Sequence, residues 1–176
     1  IVSNSVSAAK NGTLVYKKST PNARPERQMV WVDRKGVIVD TVALPIAPFI
    51  NGAINSAPVL SPDGRQLTFH FTQDIWVYDL ERGGMTRLTY DDQPYIHASW
   101  SPQGNRIAFS SIVGGEILVT PTDGSGAKTS VIDSPWLEYG PDWSPDGKYL
   151  IYHRRQNSSN NNIPELQYIN MTGDQK

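Results

Sequence analysis

Short apolar segments, each broken by polar turn residues, recur along the whole chain. Gln66-Leu67-Thr68-Phe69, Arg106-Ile107-Ala108-Phe109 and Tyr149-Leu150-Ile151-Tyr152 place side chains alternately on two faces, and Thr13-Leu14-Val15-Tyr16 does the same near the start. That period of two predicts strands. A second set follows in each unit, Met29 to Val32, Ile75 to Tyr78, Ile117 to Val119 and Leu166 to Ile169. More polar strands come next at Val37 to Ala43, Met85 to Thr89 and Lys128 to Ile132, and the last unit has no such strand before Lys176. No window carries apolar residues at helical spacing over three turns without Gly or Pro interrupting it, so no helix is predicted.

The turns repeat as regularly as the strands. Ser61-Pro62-Asp63-Gly64, Ser101-Pro102-Gln103-Gly104 and Ser144-Pro145-Asp146-Gly147 stand 40 and 43 residues apart, and Ser7 to Gly12 is a weaker copy. Proline presets φ at the second turn position, and glycine supplies the positive φ that closes the hairpin. Asp63, Gln103 and Asp146 fall where a side chain accepts backbone hydrogen bonds. Before each turn comes a short strand ending in Leu60, Trp100 or Trp143. Four antiparallel strands per 40 or so residues is the period of a β-propeller blade.

The predicted architecture is therefore all-β, with about fifteen strands in a partial propeller or one completed by oligomerisation. The expected blades span about 1–44, 56–90 and 96–133, with a truncated fourth at about 139–176. Two segments depart from the pattern: a partly apolar connection from Pro45 to Ser56 and a polar loop from Gln156 to Ile163.

These residues resemble the TolB-like, WD-repeat-like propellers of bacteria, whose blades carry a strand, Ser-Pro-Asp-Gly, and a strand ending in an aromatic. The resemblance covers essentially the whole chain. Gly12 to Tyr16, Val30 to Gly36 and Asp74 to Leu80 are most similar to propellers attached to bacterial serine/threonine kinases. It implies a closed ring of six to eight blades that holds proteins or ligands, often in the periplasm or elsewhere outside the cytoplasm, without chemistry of its own.

Composition narrows the function further. Sixteen basic and seventeen acidic residues give a net charge of −1 and leave no basic stripe, which argues against nucleic acid. No cysteine is present, so thiolate metal sites and thiol nucleophiles are excluded. The longest nearly apolar run, Val42 to Ile50, has nine residues and two prolines, against the ~20 a spanning helix needs. No membrane insertion is expected. A start at Ile1 without a leader reads as a processed or excised N-terminus.

The chain holds neither a Gly-x-Ser-x-Gly elbow nor kinase or nucleotide-binding motifs, and Gly124-Ser125-Gly126 reads as a hairpin turn. No enzyme activity, cofactor or metal is expected. His70, His97 and His153 are scattered, but His70 and His153 share one repeat position, where the third blade has Ser110. Equivalent positions in a propeller approach a common surface, which makes these two histidines candidates for ligand contact against the plainer reading of polar strand ends. Tyr90, Asp91, Asp92 and Tyr95 lie in one connection between blades, and Trp136, Leu137 and Tyr139 in the next. Aromatic loops on one rim of a rigid scaffold suit a contact surface, although solvated loops would look the same. The tryptophans at 31, 76, 100 and 143 are assigned to packing.

The expected function is a noncatalytic propeller module that binds a protein or peptide partner, as the sensor or scaffold part of a larger bacterial protein. The alternatives are the substrate-gating propeller of a peptidase and a propeller for a small ligand or ion. A blade that stops after its third strand leaves an unpaired edge, which a homodimer completing the ring would cover.

Overall fold

The computed structural model describes residues 6–8, 14–18, 28–44, 58–132, 134–155 and 164–172, and among them every regular element is a strand. The first sheet contains β1 (Val6–Ala8), β2 (Leu14–Lys18), β3 (Gln28–Val32) and β4 (Ile38–Thr41). The second contains β5 (Val59–Leu60), β6 (Gln66–Phe71), β7 (Asp74–Asp79) and β8 (Met85–Arg87). The third contains β9 (Tyr95–Trp100), β10 (Arg106–Ser111), β11 (Ile117–Pro121) and β12 (Thr129–Ile132). The fourth has three strands, β13 (Leu137–Trp143), β14 (Tyr149–Arg155) and β15 (Glu165–Asn170). Each sheet is an antiparallel meander in sequence order, the four-stranded unit that the repeat predicts. The Pro45 to Ser56 connection, all but Ser7 and Ala8 of the weak first turn, and the Gln156 to Ile163 loop lie outside the described residues.

Each Ser-Pro-x-Gly turn joins the first strand of a sheet to the second. Gly64, Gly104 and Gly147 have φ of 74°, 73° and 73°, and each N–H donates to the carbonyl of the serine three residues earlier. In the second and fourth sheets the serine hydroxyl donates to Asp63 Oδ1 and Asp146 Oδ1 at 2.6 Å, while accepting the N–H of Gln66 or Tyr149 at 2.9 Å. The same carboxylates accept the N–H of Arg65 and Lys148. These bonds, the serine hydroxyl's first, hold both carboxyls below the usual carboxylate range.

Gln103 does not take that part in the third sheet. Ser101 Oγ instead donates to Asn105 Oδ1 at 3.2 Å and accepts the Arg106 N–H. The longer glutamine side chain reaches over the next turn, where a Cβ on Gly147 would lie 2.9 Å from its Nε2.

Alternation puts apolar side chains on both faces of the sheets, and the core consists of three layers between neighbours. Met29 and Val42 of the first sheet meet Leu60, Leu67, Phe69 and Tyr78 of the second. Ile75, Val77 and Leu88 meet Trp100, Ile107, Phe109 and Leu118 of the third. Ala108, Ile117, Val119 and Ile132 meet Trp143, Leu150 and Tyr152 of the fourth. Polar side-chain atoms cross two of these layers without remaining unpaired. Tyr78 Oη donates to the Ala43 carbonyl at 2.8 Å, and Trp100 Nε1 to the Val59 carbonyl at 3.0 Å. Trp100 and Trp143 are buried, and Trp31 and Trp76 pack half-buried against the first layer.

Two glycines separate the cost of backbone conformation from that of crowding. Gly36 has φ of 82° with nothing within 4 Å of an added Cβ, whereas Gly115 has φ of 69° and a Cβ there would meet Leu137 Cα at 2.8 Å. Gly36→Ala should lower stability by about 1 kcal/mol, the cost of left-handed backbone alone. Gly115→Ala should cost about 3 kcal/mol, because the neighbouring blade's backbone must also move. Urea denaturation of the two variants, with unchanged slopes, would measure the difference.

Candidate binding rim

A meander reverses at every turn, so the Ser-Pro-x-Gly turns lie at one end of the sheets and the connections between sheets at the other. The β6–β7 and β10–β11 turns share the connection end. Two equivalent backbone bonds lock it: Tyr95 N–H donates to the Gln73 carbonyl at 2.9 Å, and Glu138 N–H to the Gly115 carbonyl at 2.8 Å. Each ties the start of an inner strand to a turn of the preceding sheet. All nine binding candidates from the sequence fall at this end, but they are not equally available.

Tyr90 is exposed, with the Arg87 guanidinium 5.1 Å from its ring centre. Asp92 is exposed and has φ of 55°. Tyr95, in contrast, is buried edge-on against Phe109, and its hydroxyl donates to Asp91, which also pairs with Lys128 Nζ. Tyr95 and Asp91 thus anchor the connection from within, which leaves Tyr90 as its outward aromatic. Leu137 is half-buried against Gly115, and Trp136 is half-buried with its N–H on Ser134 Oγ. Glu138, unmarked in the sequence reading, is buried. Its Oε1 accepts from Ser134 Oγ and from Arg154 Nε, and its Oε2 has no partner.

The histidines are closer than their sequence separation suggests. His70 is 3% exposed and neither ring nitrogen has a hydrogen-bond partner, the Thr72 backbone lying near but outside bonding geometry. His153 is exposed and stacks on Tyr139 with ring centres 5.5 Å apart. The residue that links them is His97, whose ring lies 6.5 Å from that of Tyr139 and whose charge is felt at His70. His97 has φ of 55° at a bulge three residues before Trp100; Gly140, with φ of 66°, holds the same place before Trp143. The sequence signal was available in that offset, but only a register with its bulge reveals it. Ser110, counterpart of His70, accepts the Gly140 N–H at 3.0 Å.

Burial pushes His70 below the ordinary imidazole range, against the pull of the Asp74 carboxylate, and His97 adds to the depression. Burial also lowers His97, and His153 lowers it further. Asp74 is itself engaged by Arg87 Nη2 at 2.8 Å and by the Thr89 hydroxyl. Beside this row, Ile96, His97, Ile112, Leu137, Tyr139 and Arg155 line a cavity of about 250 Å³. Among the described residues no group of three or more His, Asp or Glu is arranged to hold a metal ion. Ser125 sits in the β11–β12 turn, where its N–H donates to Asp123 Oδ1.

Comparison with known proteins agrees with this geometry. The family model for the TolB β-propeller domain, PD40, matches residues 49–176. The uncharacterized peptidase YuxL of Bacillus subtilis is 28% identical over 107 residues, which is 53% of this chain and 16% of that protein. The chain therefore spans a small part of this relative. TolB from Acinetobacter baumannii superposes with a TM-score of 0.72 at 21% identity, covering 93% of this chain and 40% of that one. The putative TolB from Agrobacterium tumefaciens gives 0.75 at 19%, covering 96% and 61%.

The depressed histidines set a pH dependence of stability. His70 and His97 stay neutral in the fold while the unfolded chain takes up protons below about pH 6.5. Their contribution is complete above that value and is lost as pH falls toward the lower folded pKa. Urea midpoints should therefore drop between pH 7.5 and 5.5. His70→Leu should shrink the drop, because it removes one titrating group and two unpaired buried nitrogens.

Proposed function

Because the chain belongs to the TolB β-propeller domain family, we propose that it is a noncatalytic propeller segment whose connection end binds a protein or peptide partner. The observation that carries this reading is the concentration of exposed apolar groups on a rim fixed by backbone bonds. Tyr90, Ile112 and Val113 are 65%, 53% and 59% exposed, and Trp136 is half-buried beside them. Rigid sheets carrying such loops lose little conformational freedom on binding, which favours affinity. A kinase attachment rests on the sequence resemblance alone.

The relation to YuxL favours a second reading, in which the propeller gates access to a peptidase domain elsewhere in the same protein. A parent reading frame that encodes an α/β-hydrolase domain would favour it; one that encodes a kinase or another sensor domain would favour the first. In either case the chain alone should not be labelled by a fluorophosphonate serine probe. Labelling that Ser125→Ala abolishes would contradict both.

A library of displayed peptides tests partner binding directly. Selected peptides should lose affinity about tenfold on Trp136→Ala or Tyr90→Ala, a loss typical of an aromatic anchor. Peptides that bind equally well to both variants would place the surface elsewhere.

The fourth sheet presents a different surface. In the third sheet Ala108, Ile117 and Val119 are buried against the next blade, and the pairing registers make Ile151, Leu166 and Tyr168 their counterparts, at 39%, 67% and 72% exposed. With Tyr149 they line a groove of about 390 Å³. We propose that a further blade covers this face, supplied by a second copy when the chain stands alone. Light scattering should then show a dimer that Leu166→Lys dissociates, and a stable monomer at tens of micromolar would overturn the self-pairing.

A further inference from the structure

The row of histidines carries an inference about what the rim recognises, and it rests on the partner-binding reading above. We propose that the cavity between the third and fourth sheets binds a carboxylate that carries an apolar side chain, with the carboxylate between His97 and Arg155 and the apolar group against Ile96, Ile112 and Leu137. Such chemistry belongs to a peptide C-terminus ending in an aliphatic or aromatic residue.

Three observations meet at this place. The first is the backbone. His97 occupies a left-handed position that Gly140 fills in the neighbouring sheet, so an imidazole stands where glycine would cost less. Backbone strain of this kind gathers at sites of function.

The second is charge. The acidic groups nearest the row have basic partners, Asp74 with Arg87, Asp91 with Lys128 and Glu138, on the cavity wall, with Arg154 through Oε1 alone. Asp142 caps the Trp143 N–H. Glu116, just before β11, is the remaining carboxylate of the adjoining turn. Against it stand Arg155, which has no acidic partner among the described residues, and the His97 imidazole, both on the cavity wall.

The third is shape. The cavity's walls are mainly apolar, and Tyr139, on its wall, is backed by the stack with His153. Behind it, the buried and unpartnered His70 senses the charge of His97. Burial and the charge of His153 disfavour protonation of His97, and an anion beside its ring relieves this, so binding takes up protons.

The test uses the intact chain and N-acetyl-L-leucine, with N-acetyl-L-leucinamide as the uncharged control, read by histidine ring resonances in NMR. The acid should bind, move the His97 and His153 signals, and tighten by about tenfold between pH 7.5 and 5.5, as uptake averaging about half a proton over that interval requires. The amide should bind weakly and without pH dependence. His97→Gly keeps the bend that Gly140 shows to be compatible with glycine, so it should fold and lose most of the pH dependence; Arg155→Gln should weaken the acid at both pH values. Equal binding of acid and amide, no binding of either, or binding that leaves the His97 signal in place would each overturn the site. Display-selected peptides that need Trp136 or Tyr90 but not a free carboxylate would leave the partner-binding rim standing while overturning this inference.

Discussion

The second and third sheets have apolar side chains on both faces, because their second and third strands between them supply apolar residues in both phases. Leu67 and Phe69 point back toward the first sheet while Ile75 and Val77 point on to the third, and Ile107 and Phe109 oppose Ala108 and Val119 one sheet later. Burying one such side chain contributes about 1.5–3 kcal/mol, so a blade in isolation would leave half of its stabilising surface in water. Neighbours are therefore obligatory. Stability in such an array is a sum of blade and interface terms, and the rim inherits its rigidity from the layers beneath it.

That dependence explains how the connection end tolerates costly features. His97 in a left-handed bulge, His70 buried without a partner and Glu138 with an orphaned oxygen each oppose folding. They persist because the surrounding layers over-determine their positions. Gly115 shows the same constraint from the other side, since the Leu137 backbone passes too close for any side chain. The electrostatic pairs at this end hold connections in place and leave Arg155 without an acidic partner among the described residues.

Most of the fold could be read from the sequence because its determinants are local. Alternation identified the strands, and the glycines with φ near 73° were legible as turn closers from their place after Ser-Pro-x. The binding rim was legible only as loops. Tyr95 looked like Tyr90 in sequence, but it enters the core against Phe109. Gln103 looked like Asp63, but one more methylene carries its amide away from its own turn and over Gly147. His97 was seen as a lone histidine, since a bulge shifts which face a residue takes and periodicity cannot register the shift. Glu138 gave no signal at all, because its burial depends on Arg154 and Ser134, which come together only when the sheet forms.

The ties between successive sheets at the rim, Tyr95 N–H to Gln73 O and Glu138 N–H to Gly115 O, involve main-chain atoms only. Any residue except proline can donate such a bond, and any residue can accept it. Tyrosine and glutamate occupy the same structural place without disturbing the spacing of the blades. The repeat can thus be copied, and each copy can drift to new side chains, with no need to rediscover how one blade is set beside the next. An architecture joined in this way is free to vary its connection end blade by blade while its frame stays fixed.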